Sequence, residues 1–217
     1  MSTRRKPLLV GQIYHIFSKS ISGYKIFRDD DEYERMKDLL KYYRTESTPM
    51  RFSIFQEIKY KEKKQIYEIE GDDLLVEIIA YCIMPTHFHL VVKQLKEDGI
   101  SFFIQQILNS YSRYFNIKTK RKGPLWEGRF QNVVIETDEQ LLHLTRYIHL
   151  NPVTAYLVNR PEDWKFSSYR EFLGEEKEKL SSFSNILDTT PDNYKKFVDD
   201  RIDYQRQLAE IKKLVLE

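Results

Sequence analysis

Hydrophobic and polar residues alternate along several short stretches of this chain and recur at helical spacing along others. A period of two is typical of strands, and apolar residues three or four positions apart are typical of helices. The alternation predicts strands at 8–17, 74–84, 87–94 and 130–135. The helical spacing predicts helices at 29–43 and 101–117, and one from an Asp138 N-cap to Pro152. Within 51–70, two alternating segments, 52–55 and 66–69, are interpreted as a strand or hairpin.

The order of these elements, β-α-(β)-β-β-α-β-α, decides between two fold classes. It favours an α+β fold, an antiparallel sheet that carries helices, over a doubly wound parallel sheet. One or two polar helices are predicted within 176–217, the longest from Asp192 to Leu216. In the first predicted helix, we expect four residues to face the core: Tyr33, Met36, Leu39 and Leu40.

Composition places few further limits on the protein. The 217 residues are 41% hydrophobic, enough to bury a core in one folded domain with an extension. The single cysteine, Cys82, cannot form an internal disulfide and lies in an apolar strand. No apolar run has the length of a membrane span. We therefore expect a cytoplasmic protein that does not enter a membrane.

Positive charge is concentrated outside the C-terminal region. The net charge is +2, but residues 171–217 hold 8 Lys/Arg and 11 Asp/Glu, which leaves 27 and 22 for residues 1–170. Such asymmetry indicates a polyanionic partner for the first 170 residues. Two basic clusters with an interleaved tryptophan are candidate DNA-binding residues, although a solvated charged loop explains the second equally well: Arg4, Arg5 and Lys6, then Lys118, Lys120, Arg121, Lys122, Trp126 and Arg129.

Two histidines lie two positions apart in the strand predicted at 87–94. Side chains alternate between faces along a strand, so His87 and His89 point the same way and Phe88 points into the opposite layer. Two neutral imidazoles side by side suit a divalent metal ion. Ordinary packing is the alternative for an isolated pair of this kind.

A hydroxyl and an amide on a predicted helix offer the groups that would complete such a site. Tyr147 and Asn151 are four positions apart, so they share one helix face. His143 lies on that face too and is a candidate to assist deprotonation of the tyrosine. Pro152 disfavours helical geometry at Asn151. Together with the histidines, these groups indicate metal-assisted chemistry on a phosphodiester.

Five ordered segments carry a resemblance to a known family. They are MPTHFHLVV (84–92), SYSRYFN (110–116), GPLWEGRFQ (123–131), LTRYIHLNPV (144–153) and WKFSSY (164–169). In this order they resemble the prokaryotic single-tyrosine HUH transposases, in particular the REP-associated tyrosine transposases of the IS200-like group. The resemblance covers most of residues 8–170. Thr86 departs from it, since that family commonly has Asn before the first histidine.

The resemblance implies a ferredoxin-like or RRM-like catalytic domain at 1–170, followed by a C-terminal polar helical extension at 171–217. It implies cleavage and rejoining of single-stranded DNA at hairpin-associated sites. It makes His87, His89 and Asn151 ligands of Mg²⁺ or Mn²⁺, and it makes Tyr147 the nucleophile that forms a 5′-phosphotyrosine. Partners are then single-stranded or hairpin DNA, with monomer and homodimer both open.

Three functions remain open from the sequence. The first is a transposase, and the second is a DNA-binding module that no longer cuts. The third is a metal-dependent phosphoesterase that uses water in place of Tyr147. Two other histidines receive lesser roles: His149, off the face of Tyr147, is expected to be structural, and His15 is expected to pack beside the site without binding the metal.

Overall fold

The computed structural model describes residues 7–58, 73–183 and 186–208. Within those ranges the strands are β1 (Ile13–Lys19), β2 (Val76–Met84), β3 (His87–Gln94) and β4 (Gln131–Ile135). The helices are α1 (Asp30–Tyr43), α2 (Phe52–Glu57), α3 (Gly99–Lys118), α4 (Asp138–Thr154), α5 (Tyr169–Phe172) and α6 (Pro191–Asp199), with single 3₁₀ turns at Ile21–Gly23 and Pro161–Asp163.

The four strands form one antiparallel sheet in the order β2-β3-β1-β4. This confirms the predicted α+β fold, an antiparallel sheet with helices packed on it. The two-residue connection Pro85–Thr86 joins β2 to β3, as expected for adjacent antiparallel strands. Strand β3 therefore lies inside the sheet, between β2 and β1.

Alternation along β3 divides its side chains between two cores. Phe88 and Leu90 are fully buried on the face that α1 and α3 cover. Val91 is buried on the other face, in a core that includes Ile148 of α4. His87 and His89 share the face of Val91 because they differ from it by even numbers of residues. The sheet thus places both imidazoles under α4.

Local sequence signals set the helix ends. The carboxylate of Asp29 caps α1 by accepting from the backbone N–H of Glu32 at 3.0 Å. The cap of α4 is Thr137, whose hydroxyl accepts from the N–H of Gln140 at 3.1 Å. This corrects the predicted Asp138 cap by one residue. Asp138 instead lies in the first turn, where its charge favours the positive end of the helix dipole.

Helix α2 replaces the first segment of the strand or hairpin expected within 51–70. Phe52 and Phe55 are both buried, and their spacing of three fits one side of a helix, whereas Phe52 and Ile54, two apart, fit one face of a strand. Burial of both rings in the core of α1 and α3 decides for the helix. The second expected segment, 66–69, lies outside the described residues.

Pro152 does not end α4. The helix continues to Thr154, and the N–H of Ala155 donates to the carbonyl of Asn151 at 2.9 Å. Proline removes one N–H from the last turn, and the turn still closes around it. Asn151 is therefore helical, which corrects the expectation that Pro152 distorts its backbone. It stands one turn beyond Tyr147.

The described part of the segment after residue 170 packs against α4. Phe172, Phe183, Tyr194 and Val198 are buried in the same core as Ile148. The long helix predicted from Asp192 to Leu216 is interrupted: the structure gives α6, a turn at 200–201 and helical residues at 202–208, and residues 209–217 lie outside the described ranges. Across the described residues, no helix combines the length and apolar character needed to span a lipid bilayer.

Candidate active site

The imidazoles of His87 and His89 meet on the sheet face below α4. Their ring centroids are 5.0 Å apart and their planes are perpendicular. His89 is buried, and His87 is half-buried at the end of the strand. The sequence predicted this shared face from the spacing of the two histidines, and the structure brings the rings together.

Both imidazoles are neutral at physiological pH. Burial, helped by the positive charge of Lys19, lowers the pKa of His87 to about 4. Burial first, and then His87, His15 and Lys19, lower the pKa of His89 to about 2. A neutral imidazole keeps a lone pair on one ring nitrogen, and that lone pair is what a metal ion binds.

Tyr147 approaches this pair from α4. Its ring centroid lies 6.0 Å from that of His89, with the ring planes at 79°. The residue is 42% exposed, so part of it is accessible to a bound strand. Partial burial raises the pKa of the phenol above its ordinary value. The phenol is therefore protonated at neutral pH and needs activation before it can attack.

Asn151, on the same helix as Tyr147, has a side-chain atom without a hydrogen-bond partner. Its amide nitrogen is buried and has no hydrogen-bond partner. An unpaired buried amide is costly, so such a group calls for an explanation. Rotating the amide by 180° exchanges nitrogen and oxygen and puts a free carbonyl oxygen at that position. A free amide oxygen one turn from Tyr147 is a suitable ligand for a hard divalent cation.

Lys19 lies beside the histidines but was not among the DNA-binding residues predicted from the sequence. It pairs with His87 across β1 and β3, so the two side chains share a face of the sheet. The lysine is exposed. Its position next to the histidines could not be read from the sequence, because it depends on the register between strands that are far apart in the chain.

The two histidines of α4, His143 and His149, form hydrogen bonds with residues other than Tyr147. The guanidinium of Arg146 donates to Nδ1 of His143 at 2.7 Å, and the His143 ring packs against Phe197. An assisting role for His143 stays a prediction. His149 is fully buried and bonded through both ring nitrogens, to Tyr194 and Ser168, as a structural histidine is.

The basic residues proposed to bind DNA lie in different settings. Lys120, Lys122 and Arg129 are exposed in the loop after α3. The guanidinium of Arg121 donates a hydrogen bond to the carbonyl of Gly123 at 3.3 Å. Arg4, Arg5 and Lys6 lie outside the described residues. The loop is fixed beside the site, because the N–H of Glu127 donates to the carbonyl of Lys19 at 3.0 Å.

Two of these predicted residues have structural partners. Lys118 forms ion pairs with Asp29 and with the buried carboxylate of Glu32, each at 3.0 Å. Trp126 is only 7% exposed, and its indole N–H donates to the carbonyl of Leu108 at 3.2 Å. That ring packs in the core, which corrects its prediction as a base-stacking residue of the DNA interface.

A second basic surface lies on the opposite side of the sheet. A groove of about 860 Å³ runs between α1, α2 and α3, and its lining contains no carboxylate. Arginine, lysine and aromatic side chains together line it, as in grooves that bind a nucleic-acid backbone. The charged and aromatic lining residues are Arg35, Arg51, Arg113, Lys118, Tyr43, Phe52 and Tyr114.

The side chains present fit a divalent metal ion with two imidazole ligands and one amide ligand. Within the described ranges, no cluster of three His, Cys, Asp or Glu side chains could hold a metal ion. A third protein ligand beside His87 and His89 would therefore be of another type. The orphaned amide of Asn151, on the helix that covers them, meets that need.

Comparison with known proteins agrees with this fold. A sequence model described as IS200-like transposase matches residues 36–151. The chain is also 32% identical over 119 residues to a REP-associated tyrosine transposase of Haemophilus influenzae, over 50% of this chain and 67% of that protein. These matches define an enzyme of DNA strand cleavage and joining. The chain belongs to the IS200-like transposase family, among the REP-associated tyrosine transposases.

A solved structure supports the same architecture. The structure of a REP-associated tyrosine transposase bound to a REP hairpin superposes with a TM-score of 0.53, covering 85% of this chain and 96% of that chain. Sequence identity between the two is 18%. The likeness therefore shows the fold, and the arrangement of side chains has to be argued from this chain itself.

Proposed function

We propose that this protein is a metal-dependent endonuclease and strand transferase that cuts single-stranded DNA through a 5′-phosphotyrosine intermediate. One observation carries the proposal. The ring of Tyr147 lies 6.0 Å from that of His89, on the face where His87 and His89 meet. A half-exposed tyrosine beside two neutral imidazoles can share one bound phosphodiester with them.

The reaction is a transesterification at phosphorus. The phenolic oxygen of Tyr147 loses its proton and forms a bond to the phosphorus atom. The bond from phosphorus to the 3′ oxygen breaks, and that oxygen takes up a proton to become a 3′ hydroxyl. The 5′ phosphate stays attached to the tyrosine. Because one phosphate ester replaces another, a later 3′ hydroxyl can reverse the step without ATP.

His87, His89 and Asn151 would hold the metal ion. When bound, a divalent cation neutralises charge on a phosphate oxygen and orients the ester for in-line attack. Neutral imidazoles favour Mn²⁺ over Mg²⁺, because nitrogen ligands suit the transition metal better. We therefore expect half-maximal activity at a lower concentration of Mn²⁺ than of Mg²⁺.

Basic residues around the site support a DNA partner. Lys19 stands opposite His87, and the loop that contains Lys120, Lys122 and Arg129 is bonded to the backbone of Lys19. These cations can neutralise the phosphates that flank the reacting one. The relative of known structure is bound to a REP hairpin, and we infer a hairpin-associated substrate here too. The groove behind the sheet is a candidate second DNA contact.

The chain divides by role. Residues 1–170 contain every group assigned to the chemistry, and the described residues after 170 include α6. Phe172, Tyr194 and Val198 pack on α4, which supports a bracing role for that extension. For a prokaryotic enzyme of this kind, we infer action in the cytoplasm, where the genome is found.

The first experiment tests the covalent intermediate. The protein is incubated with labelled single-stranded hairpin oligonucleotides and Mn²⁺, then separated on a denaturing gel. We expect a protein–DNA adduct that is abolished in Tyr147→Phe and by EDTA. Tyr156→Phe is the matched control, since Tyr156 is 49% exposed and Tyr147 is 42% exposed. That variant should keep the adduct.

The other outcomes separate the alternative functions. Cleavage that survives Tyr147→Phe without an adduct would reject the tyrosine as nucleophile and favour a phosphoesterase that uses water. Tight hairpin binding with no cleavage at any metal concentration would favour a DNA-binding module. An adduct present in both Tyr147→Phe and the control would mean that another residue attacks.

A further inference from the structure

Each histidine of the site has one ring nitrogen engaged by a residue to which the proposed chemistry gives no role. Nδ1 of His87 lies 2.9 Å from the hydroxyl oxygen of Thr86. Nδ1 of His89 lies 2.9 Å from Nε2 of His15. The same atom, Nδ1, is engaged in both histidines. The opposite nitrogen, Nε2, is therefore the one left for a ligand in each ring.

The engagement of Nδ1 affects metal binding, because a neutral imidazole has two tautomers. When the hydrogen is on Nδ1, Nε2 has a free lone pair and can bind a metal ion; when it is on Nε2, that atom cannot. A partner that accepts a hydrogen bond from Nδ1 stabilises the first form. Groups of this kind fix the orientation and the tautomer of metal-binding histidines in proteins.

Both partners can act as acceptors. The hydroxyl oxygen of Thr86 has lone pairs that accept from Nδ1–H of His87. His15 accepts at Nε2 when its own hydrogen is on Nδ1. Burial lowers the pKa of His15 to about 4, so its ring is neutral and has this acceptor. A charged His15 would have donors alone.

The fold holds the two partners in place. His15 lies in β1, the strand next to β3, and its ring stacks on His89 with centroids 5.1 Å apart and planes at 22°. The ring also contacts Phe17, with centroids 5.0 Å apart, and Phe17 in turn lies 5.8 Å from His89. Thr86 lies in the tight turn before β3, and its carbonyl accepts from the N–H of Ser20 at 2.8 Å. Neither partner is on a free loop.

We propose that His15 and Thr86 are positioning residues that keep His89 and His87 in the tautomer with hydrogen on Nδ1, so that both Nε2 atoms face one divalent cation. This inference rests on the proposed function, because it takes the two histidines as metal ligands. It assigns a role to Thr86, and it gives a role to His15, which was expected from the sequence only to pack beside the site.

The test measures metal binding and tautomers without DNA. Mn²⁺ affinity is titrated by electron paramagnetic resonance for the wild type, His15→Phe and Thr86→Val. Phe keeps a ring and Val keeps the branched shape, but neither can accept a hydrogen bond. We expect each to bind Mn²⁺ about 10- to 100-fold more weakly. His15→Gln and Thr86→Ser restore an acceptor and should recover most of the affinity.

A second measurement separates positioning from packing. Nitrogen-15 spectra of the metal-free imidazoles, assigned with His87→Gln and His89→Gln, report which nitrogen carries hydrogen. In the wild type we expect hydrogen on Nδ1 of both. In His15→Phe we expect the Nε2–H form to appear at His89 alone, and in Thr86→Val at His87 alone. A merely structural role would leave the tautomers unchanged.

Three results would overturn the inference. They are a wild-type His89 with hydrogen on Nε2, variants that bind Mn²⁺ as tightly as the wild type, and Gln or Ser replacements that fail to restore binding in a folded protein. Loss of the covalent adduct with the tautomers intact would count against the proposed function alone. A wild type that binds no Mn²⁺ would reject the metal ligands and, with them, this assignment.

Discussion

Nδ1 of His149 lies 2.7 Å from the hydroxyl of Tyr194, which ties the helix of Tyr147 to the C-terminal helix α6. The other nitrogen of His149 is 2.8 Å from the hydroxyl of Ser168, and that hydroxyl accepts from the backbone N–H of Tyr81 in β2 at 2.9 Å. A buried chain of hydrogen bonds thus connects α6, α4 and the sheet. It holds in place the helix that presents Tyr147.

Removing one hydroxyl tests this chain. We expect Tyr194→Phe to lower the free energy of unfolding by about 1–3 kcal/mol, because it leaves a buried ring nitrogen of His149 without a partner. Urea unfolding measures the change. Tyr204→Phe is the control: Tyr204 is half exposed, so we expect a change under about 0.5 kcal/mol. Equal stabilities for the two variants would mean that the bond contributes nothing.

Replacing Asn151 separates stability from metal binding. Its amide nitrogen is buried and unpaired, so Asn151→Leu should leave the thermal midpoint unchanged or raise it. The same variant loses an oxygen ligand, and we expect weaker Mn²⁺ binding by calorimetric titration. If Asn151→Leu destabilises the protein and keeps full Mn²⁺ affinity, the amide is a structural group and the third ligand is another residue.

Lys19 should act on DNA through its charge. We expect Lys19→Met to weaken binding of single-stranded DNA and to reduce the slope of log K against log salt by about 0.7, the value for one phosphate contact. Fluorescence anisotropy at several salt concentrations gives the slope. Lys93→Met is the control, because Lys93 lies on the same face of β3 but six residues from His87. An unchanged slope in Lys19→Met would exclude a phosphate contact.

Lys118 is expected to stabilise the fold through Glu32. Burial raises the pKa of Glu32, but hydrogen bonds from Arg28 and Lys118 outweigh it, so the pKa lies below its ordinary value. The stabilisation from this carboxylate is therefore complete above its unfolded pKa, at neutral pH, and is lost as the pH falls through the lower folded value. We expect Lys118→Met to cost about 1–2 kcal/mol at pH 7 and much less near pH 3.

The control for that experiment is an exposed pair. Lys165 and Asp30 are 2.6 Å apart, but both side chains are more than half exposed. Such pairs contribute little, so Lys165→Met should change stability by less than about 0.5 kcal/mol at either pH. Chemical unfolding at the two pH values measures both variants. A cost for Lys118→Met that stays constant with pH would disconnect it from the charge of Glu32.

The extent to which the sequence predicts this molecule differs between its parts. Strand β3 was predicted with its bounds, because the apolar run His87–Gln94 starts after Pro85–Thr86. Helix α2 was predicted as part of a strand or hairpin, because Phe52 and Ile54, two apart, fit a strand, whereas Phe52 and Phe55, three apart, fit a helix. Tertiary burial, which the sequence does not display, settled that ambiguity.

The same limit applies to the site. Spacing alone predicted that His87 and His89 share a face and that Tyr147 and Asn151 share another. The hydrogen bond between His15 and His89 was not predicted, since it depends on the register of β1 against β3. A polar residue in the middle of an interior strand was the one signal for it. Trp126 was assigned to DNA because a surface loop and a core tryptophan look alike in sequence.

The pairing of His15 with His89 joins residues 74 positions apart, and Tyr147 comes from a helix later in the chain. Contacts of such separation form only after long segments of chain have closed on each other, which slows folding. Under the proposed function, a chain still being made has no assembled site until the helix of Tyr147 has been made and has packed on the sheet. Cutting would then depend on the folding of the whole segment from β1 to α4.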